Sequence, residues 1–108
     1  MDLKAALEVV GGDQELLEAV SEMSLSEVPE QMERLAEAVA ERNASAVEAG
    51  AHRLKGGLGN LGGTTGRDAA HKLETMGENK SLNGVDAAFA DLEREAKRVA
   101  AFYAERAS

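Results

Sequence analysis

Val47-Glu48-Ala49-Gly50-Ala51-His52-Arg53-Leu54-Lys55-Gly56-Gly57-Leu58-Gly59-Asn60-Leu61 is the stretch whose reading decides the fold. Val47, Ala51, Leu54, Leu58 and Leu61 recur at spacings of 4, 3, 4 and 3. Successive helical residues turn by about 100°, so these five side chains form one apolar stripe of an amphipathic helix. Asn43 stands where an N-cap is needed, and Gly62-Gly63 stands where the helix must close. The predicted helix runs from about Ala44 to Leu61. A single stripe of this kind is stable only if other elements cover it.

The flanking sequence supplies those elements. Asp2 is placed to cap a short helix through Val10, which Gly11-Gly12 ends. Asp13 caps the next helix, whose apolar stripe is Leu17, Val20, Ser24, Val28, Met32, Leu35 and Val39. Pro29 lies inside this stretch and predicts a kink, because it lacks an N–H and its ring crowds the preceding turn. The alternative is a break near Ser24 to Ser26, with Ser26 capping a second piece. A further helix is expected from about Thr65 to Asn79, with Ala69, Ala70, Leu73 and Met76 inward and Arg67, His71, Glu74 and Glu78 on the opposite stripe. Ser81-Leu82-Asn83-Gly84 reads as a turn. Val85, Phe89, Leu92, Ala96, Val99 and Tyr103 then mark a last helix. Short turns between amphipathic helices predict an all-α, antiparallel up-down four-helix bundle with a short additional N-terminal helix, residues 1–108 forming one domain.

Composition narrows the function classes. At 108 residues the chain can bury one modest core. Apolar residues are 44 % of the chain but aromatic ones only 3 %, so the core must be built from Ala, Leu, Val and Met. A net charge of −8 argues against nucleic acid or an anionic membrane as partner. Without cysteine there is no disulfide and no thiolate chemistry. No apolar run approaches the ~20 residues of a membrane span, and Asp2 and Lys4 interrupt any signal-peptide pattern. These features predict a cytoplasmic protein, either free-standing or part of a larger kinase.

One face of the deciding helix is unusual. Five glycines occupy the eight positions from Gly56 to Gly63, although each interior helix glycine costs roughly 1 kcal/mol relative to alanine. On the wheel, His52, Gly56, Gly59 and Gly63 fall opposite the apolar stripe, with Lys55 at the edge. An imidazole on a surface almost bare of side chains suits close approach by another protein.

His52-Arg53-Leu54-Lys55-Gly56, with Gly59 and Gly62 to follow, resembles the signature of histidine-containing phosphotransfer (HPt) domains. Leu7 to Leu17 resembles that family's first helix, glycine turn and second-helix start. Val28-Pro29 followed by Leu35 resembles its second helix. Leu73-Glu74 resembles its leucine–glutamate pair, and His71 with Glu74 matches the pattern of chemotaxis kinases. The resemblance implies a phosphorelay carrier, not an independent enzyme. His52 would accept the phosphoryl group and exchange it with the aspartate of a response-regulator receiver domain. A sensor histidine kinase, in the same polypeptide or another, would be the second partner. Lys55 would offset phosphoryl charge, Glu74 would orient the imidazole, His71 would neighbour the site, and Gly56 and Gly59 would admit the partner. No cofactor would be intrinsic, since the partner receiver or kinase would supply Mg. Ser24 departs from the family, which usually carries an aromatic residue there; a serine loses apolar burial and predicts a softer core or a water-filled dimple.

The chemistry of imidazole fits. A neutral ring has one lone-pair nitrogen and an unperturbed pKa near 6.5. A carboxylate on Nδ1–H would aim Nε2 outward as the nucleophile. Three other readings compete. Gly57 to Gly62 matches G-x-G-x-x-G, but no strand precedes it and no βαβ pattern surrounds it. His52, His71 and Glu74 could hold zinc adventitiously, which would leave the glycine face unexplained. A helical interaction module without phosphorylation is the third.

Overall fold

Three side-chain caps start the first helices as their residue types require. Asp2 Oδ1 accepts from the Ala5 N–H at 2.9 Å, Asp13 Oδ1 from Leu16 at 3.1 Å and Asn43 Oδ1 from Ala46 at 3.1 Å, each typically worth about 1 kcal/mol. The computed structural model describes residues 1–107, in five helices: α1 Leu3–Val9, α2 Gln14–Ala40, α3 Ala44–Asn60, α4 Thr64–Glu78 and α5 Val85–Ala107. No strand occurs among the described residues. The fold is a four-helix bundle, α2 to α5, with α1 as the short additional helix.

The first four helices end in one way. The N–H two residues past the cap returns to a carbonyl in the last turn: Gly12 to Leu7, Asn43 to Ala38, Gly63 to Leu58 and Ser81 to Met76. The residue between turns left-handed, as this closure requires. That residue is Gly11 and Gly62 at two ends, but Arg42 and Lys80, each at φ 55°, at the other two. Arg42 is held there by bonds to the Val39 carbonyl and by a two-pronged pair with Asp86, at 3.1 and 2.6 Å, which ties the α2–α3 turn to the start of α5.

α2 continues through Pro29, which is exposed. The expected alternative break at Ser24 to Ser26 does not occur; the Ser26 hydroxyl donates back to the Met23 carbonyl at 2.8 Å instead of capping a new helix. α3 supplies the centre of the core through Val47, Ala51, Leu54 and Leu58, all fully buried. α2 and α4 flank α3, and α5 closes the ring by packing on both α4 and α2.

Glycines let α3 and α4 pack close together. A Cβ on Gly77 would lie 2.6 Å from Glu48 N and 2.7 Å from Ala44 O, and one on Gly66 would lie 3.2 Å from Leu58 Cδ1. Gly63 corrects the wheel reading. It caps α4, is buried, and a Cβ there would lie 2.8 Å from Val99 Cγ2. α3 has already ended at that point, so its periodicity no longer applies. Ser24 is buried, whereas an open cleft of about 550 Å³ lies one turn earlier, lined by Leu3, Leu7, Leu17, Ser21 and Tyr103 among others. Below it the Tyr103 hydroxyl donates to the Leu61 carbonyl at 2.6 Å.

Candidate functional site

The tight α3–α4 seam brings His52, Lys55, His71 and Glu74 together. Glu74 is the hub, its side chain only 14 % exposed. Its Oε2 lies 2.6 Å from His52 Nδ1, and Lys55 Nζ donates to Oε1 at 2.6 Å. His71 Nδ1 stands 3.4 Å from the same Oε1. The hydrogen bond from Lys55 is the largest cause holding the Glu74 carboxyl at about 2, well below its ordinary 4.5; burial opposes it, while the bonds from His52 and His71 and the Lys55 charge reinforce it. At neutral pH the carboxylate is therefore ionised and can only accept. The proton of a neutral His52 ring is thereby fixed on Nδ1, and Nε2 keeps its lone pair. The His52 side chain itself is 67 % exposed.

The glycines around His52 divide by role. Gly56 is exposed, and nothing lies within 4 Å of where its Cβ would be. Gly59 is half-buried, with Arg67 Cδ 3.4 Å from its Cβ position. Gly57 faces α2, near Gln31 and Val28. The bare surface beside the imidazole is thus chiefly Gly56, with Gly59 partly roofed by Arg67. The sequence reading placed Arg67 on the His71–Glu74 stripe but gave it no role at Gly59. It also missed Leu16 and Met23, which are 46 % and 61 % exposed on one side of α2; apolar residues outside the core stripe were the available signal.

The adventitious zinc reading does not match the geometry. Both histidines turn Nδ1 to one carboxylate that an ammonium already holds. Among the described residues no group of three His, Cys, Asp or Glu side chains is arranged to hold a metal.

The Hpt domain family model matches residues 13–102. The chain belongs to the Hpt domain family. No curated protein and no solved structure matches it significantly. Hpt domains are phosphotransfer modules that work with receiver domains and kinases in two-component phosphorelays, as carriers and not generally as catalysts. The match contains every member of the His52–Lys55–His71–Glu74 cluster, while α1 and the last residues of α5 lie outside it. Among the described residues of this Hpt domain, no helix is long and apolar enough to cross a membrane.

Proposed function

We propose that His52 is the phosphoryl carrier of this Hpt domain, accepting the group on Nε2 and exchanging it with the aspartate of a receiver domain. The observation that carries this reading is the 2.6 Å contact of His52 Nδ1 with an ionised Glu74. In the neutral ring this contact keeps the proton on Nδ1 and leaves the lone pair on Nε2. The Nε2 lone pair attacks phosphorus, the bond from phosphorus to the donor oxygen breaks, and the electron pair leaves with that oxygen, on the aspartate carboxylate or the kinase nucleotide. No proton has to leave Nε2, and the proton on Nδ1 stays there, hydrogen-bonded to Glu74. Ring nitrogen and phosphoryl group then form a phosphoramidate, which returns the group by the reverse path.

The remaining residues support positioning and docking. Lys55 stands one helical turn from His52, within reach of a phosphoryl group on Nε2. The partner receiver or kinase would supply Mg. Gly56 opens the surface for that partner, and exposed Leu16 and Met23 offer apolar contacts on α2. Residues 1–108 act as one such domain. The test is phosphoryl transfer from a phosphorylated receiver to the wild-type chain and to His52→Gln. Transfer to the wild type, acid-labile and alkali-stable, and none to the variant supports the assignment. Undiminished labelling of the variant refutes it.

A further inference from the structure

Glu74 offers two carboxylate oxygens to three donors. His52 Nδ1 occupies Oε2 at 2.6 Å, and Lys55 Nζ occupies Oε1 at 2.6 Å. His71 Nδ1 makes only a long contact with Oε1, at 3.4 Å, against the ~2.7–3.2 Å of a close N–H···O bond. We propose that His71 takes the place of Lys55 on Glu74 when His52 is phosphorylated. This rests on the phosphohistidine reading above.

The exchange follows from where charge appears. Transfer converts the neutral ring, protonated on Nδ1, into one bearing a phosphoryl group on Nε2 and the same proton on Nδ1. The ring gains positive charge and the phosphoryl oxygens carry two negative charges. Lys55, one turn along α3, is drawn from Glu74 toward those oxygens. Oε1 then loses its close partner while the carboxylate remains ionised and largely shielded from water, at 14 % exposed. An ionised oxygen left unpaired in that position is unfavourable. His71 lies one helical turn before Glu74 on α4, its side chain 63 % exposed. A shift of about 0.6 Å brings its Nδ1–H to bonding distance. Glu74 thus keeps two donors in both states and keeps its grip on the His52 Nδ1 proton. His71 is a positioning residue: it holds the carboxylate that holds the nucleophile, so the ring returns to the same tautomer when the phosphoryl group leaves.

Ring-nitrogen NMR on the whole chain tests this. The wild type is compared before and after phosphorylation by phosphoramidate, and the unphosphorylated Lys55→Met variant is a second arm in which Oε1 is vacated without any phosphoryl group. The exchange predicts a protonated His71 Nδ1, with a slowly exchanging proton, in the phosphorylated wild type and in Lys55→Met, and rapid exchange in the unphosphorylated wild type. Transfer kinetics supply the coupling. His71→Gln alone slows passage of the phosphoryl group from His52 by a few-fold, and adding it to Lys55→Met slows transfer by more than the product of the single effects, because Oε1 is then left with neither donor. A His71 ring unaltered by phosphorylation and by Lys55→Met overturns the proposal, because water then fills Oε1. Failure to phosphorylate His52 at all strikes the carrier assignment instead, and the Lys55→Met arm still decides the exchange.

Discussion

Glu74→Gln separates the orienting role of the carboxylate from its bulk. The carboxylate presents two acceptors, one to His52 Nδ1 and one to Lys55 Nζ, each at 2.6 Å. An amide of the same shape presents one acceptor and one donor. The ammonium of Lys55 can only donate, so the amide oxygen turns to Lys55 and its NH₂ turns to His52. Nδ1 must then accept, which moves the ring proton to Nε2 and blocks the nucleophile. A hydrogen bond to a charged group is worth about 1.5–3 kcal/mol, and each 1.4 kcal/mol is a factor of ten, so the reactive tautomer falls roughly 10- to 100-fold, the range seen when a supporting partner of a functional histidine is lost. Phosphoryl transfer to His52 should slow by that factor while helix content is unchanged. Rapid-quench kinetics from a phosphorylated receiver give the rate, and ring ¹⁵N shifts give the tautomer directly. A Glu74→Gln protein that transfers at the wild-type rate with its proton still on His52 Nδ1 would refute the reasoning.

Gly56→Glu should leave helix content intact, since nothing lies within 4 Å of the new Cβ, and should slow transfer from a receiver at least about tenfold while the rate with small phosphoramidate is retained; equal loss with both donors would contradict a docking role. Gly77→Ala forces a Cβ to within 2.6 Å of Glu48 N, backbone that cannot turn aside, and should lower stability by about 1–3 kcal/mol in urea unfolding. Lys80→Gly releases a left-handed φ of 55° and should raise stability by about 1 kcal/mol, read from the same transition. The Glu74 carboxyl titrates at about 2 in the folded chain against an ordinary 4.5, so its contribution to stability is fully present above about 4.5 and is lost as pH falls toward 2. Comparing urea midpoints of wild type and Glu74→Gln at pH 7 and pH 2.5 should therefore show the gap narrowing in acid.

The bundle was legible because its determinants are local. Asp2, Asp13 and Asn43 cap the helices they precede, and the Val47–Leu61 stripe is buried as its periodicity requires. The convergence of His52, Lys55 and Glu74 was not visible from the wheel, which places Glu74 on an outward stripe of a different helix. Only the family resemblance joined them, and the joining depends on how closely α4 approaches α3. That approach in turn depends on Gly66 and Gly77, whose value lies in contacts across the seam and leaves no periodic trace. Gly63 was misread for the opposite reason: a wheel extended past the end of α3 assigns a face to a residue that already caps α4. Pro29 was expected to lie within one long helix, and α2 does run on through it, with its ring on the exposed side.

The central claim is that Glu74 holds the His52 proton on Nδ1 and so reserves Nε2 for phosphorus. Phosphorylating the chain and recording ³¹P and ring ¹⁵N spectra tests it most directly. The account predicts one phosphoramidate, on His52, with phosphorus coupled to Nε2 and the proton retained on Nδ1. Phosphorus bound to Nδ1, or to His71 in place of His52, would contradict it.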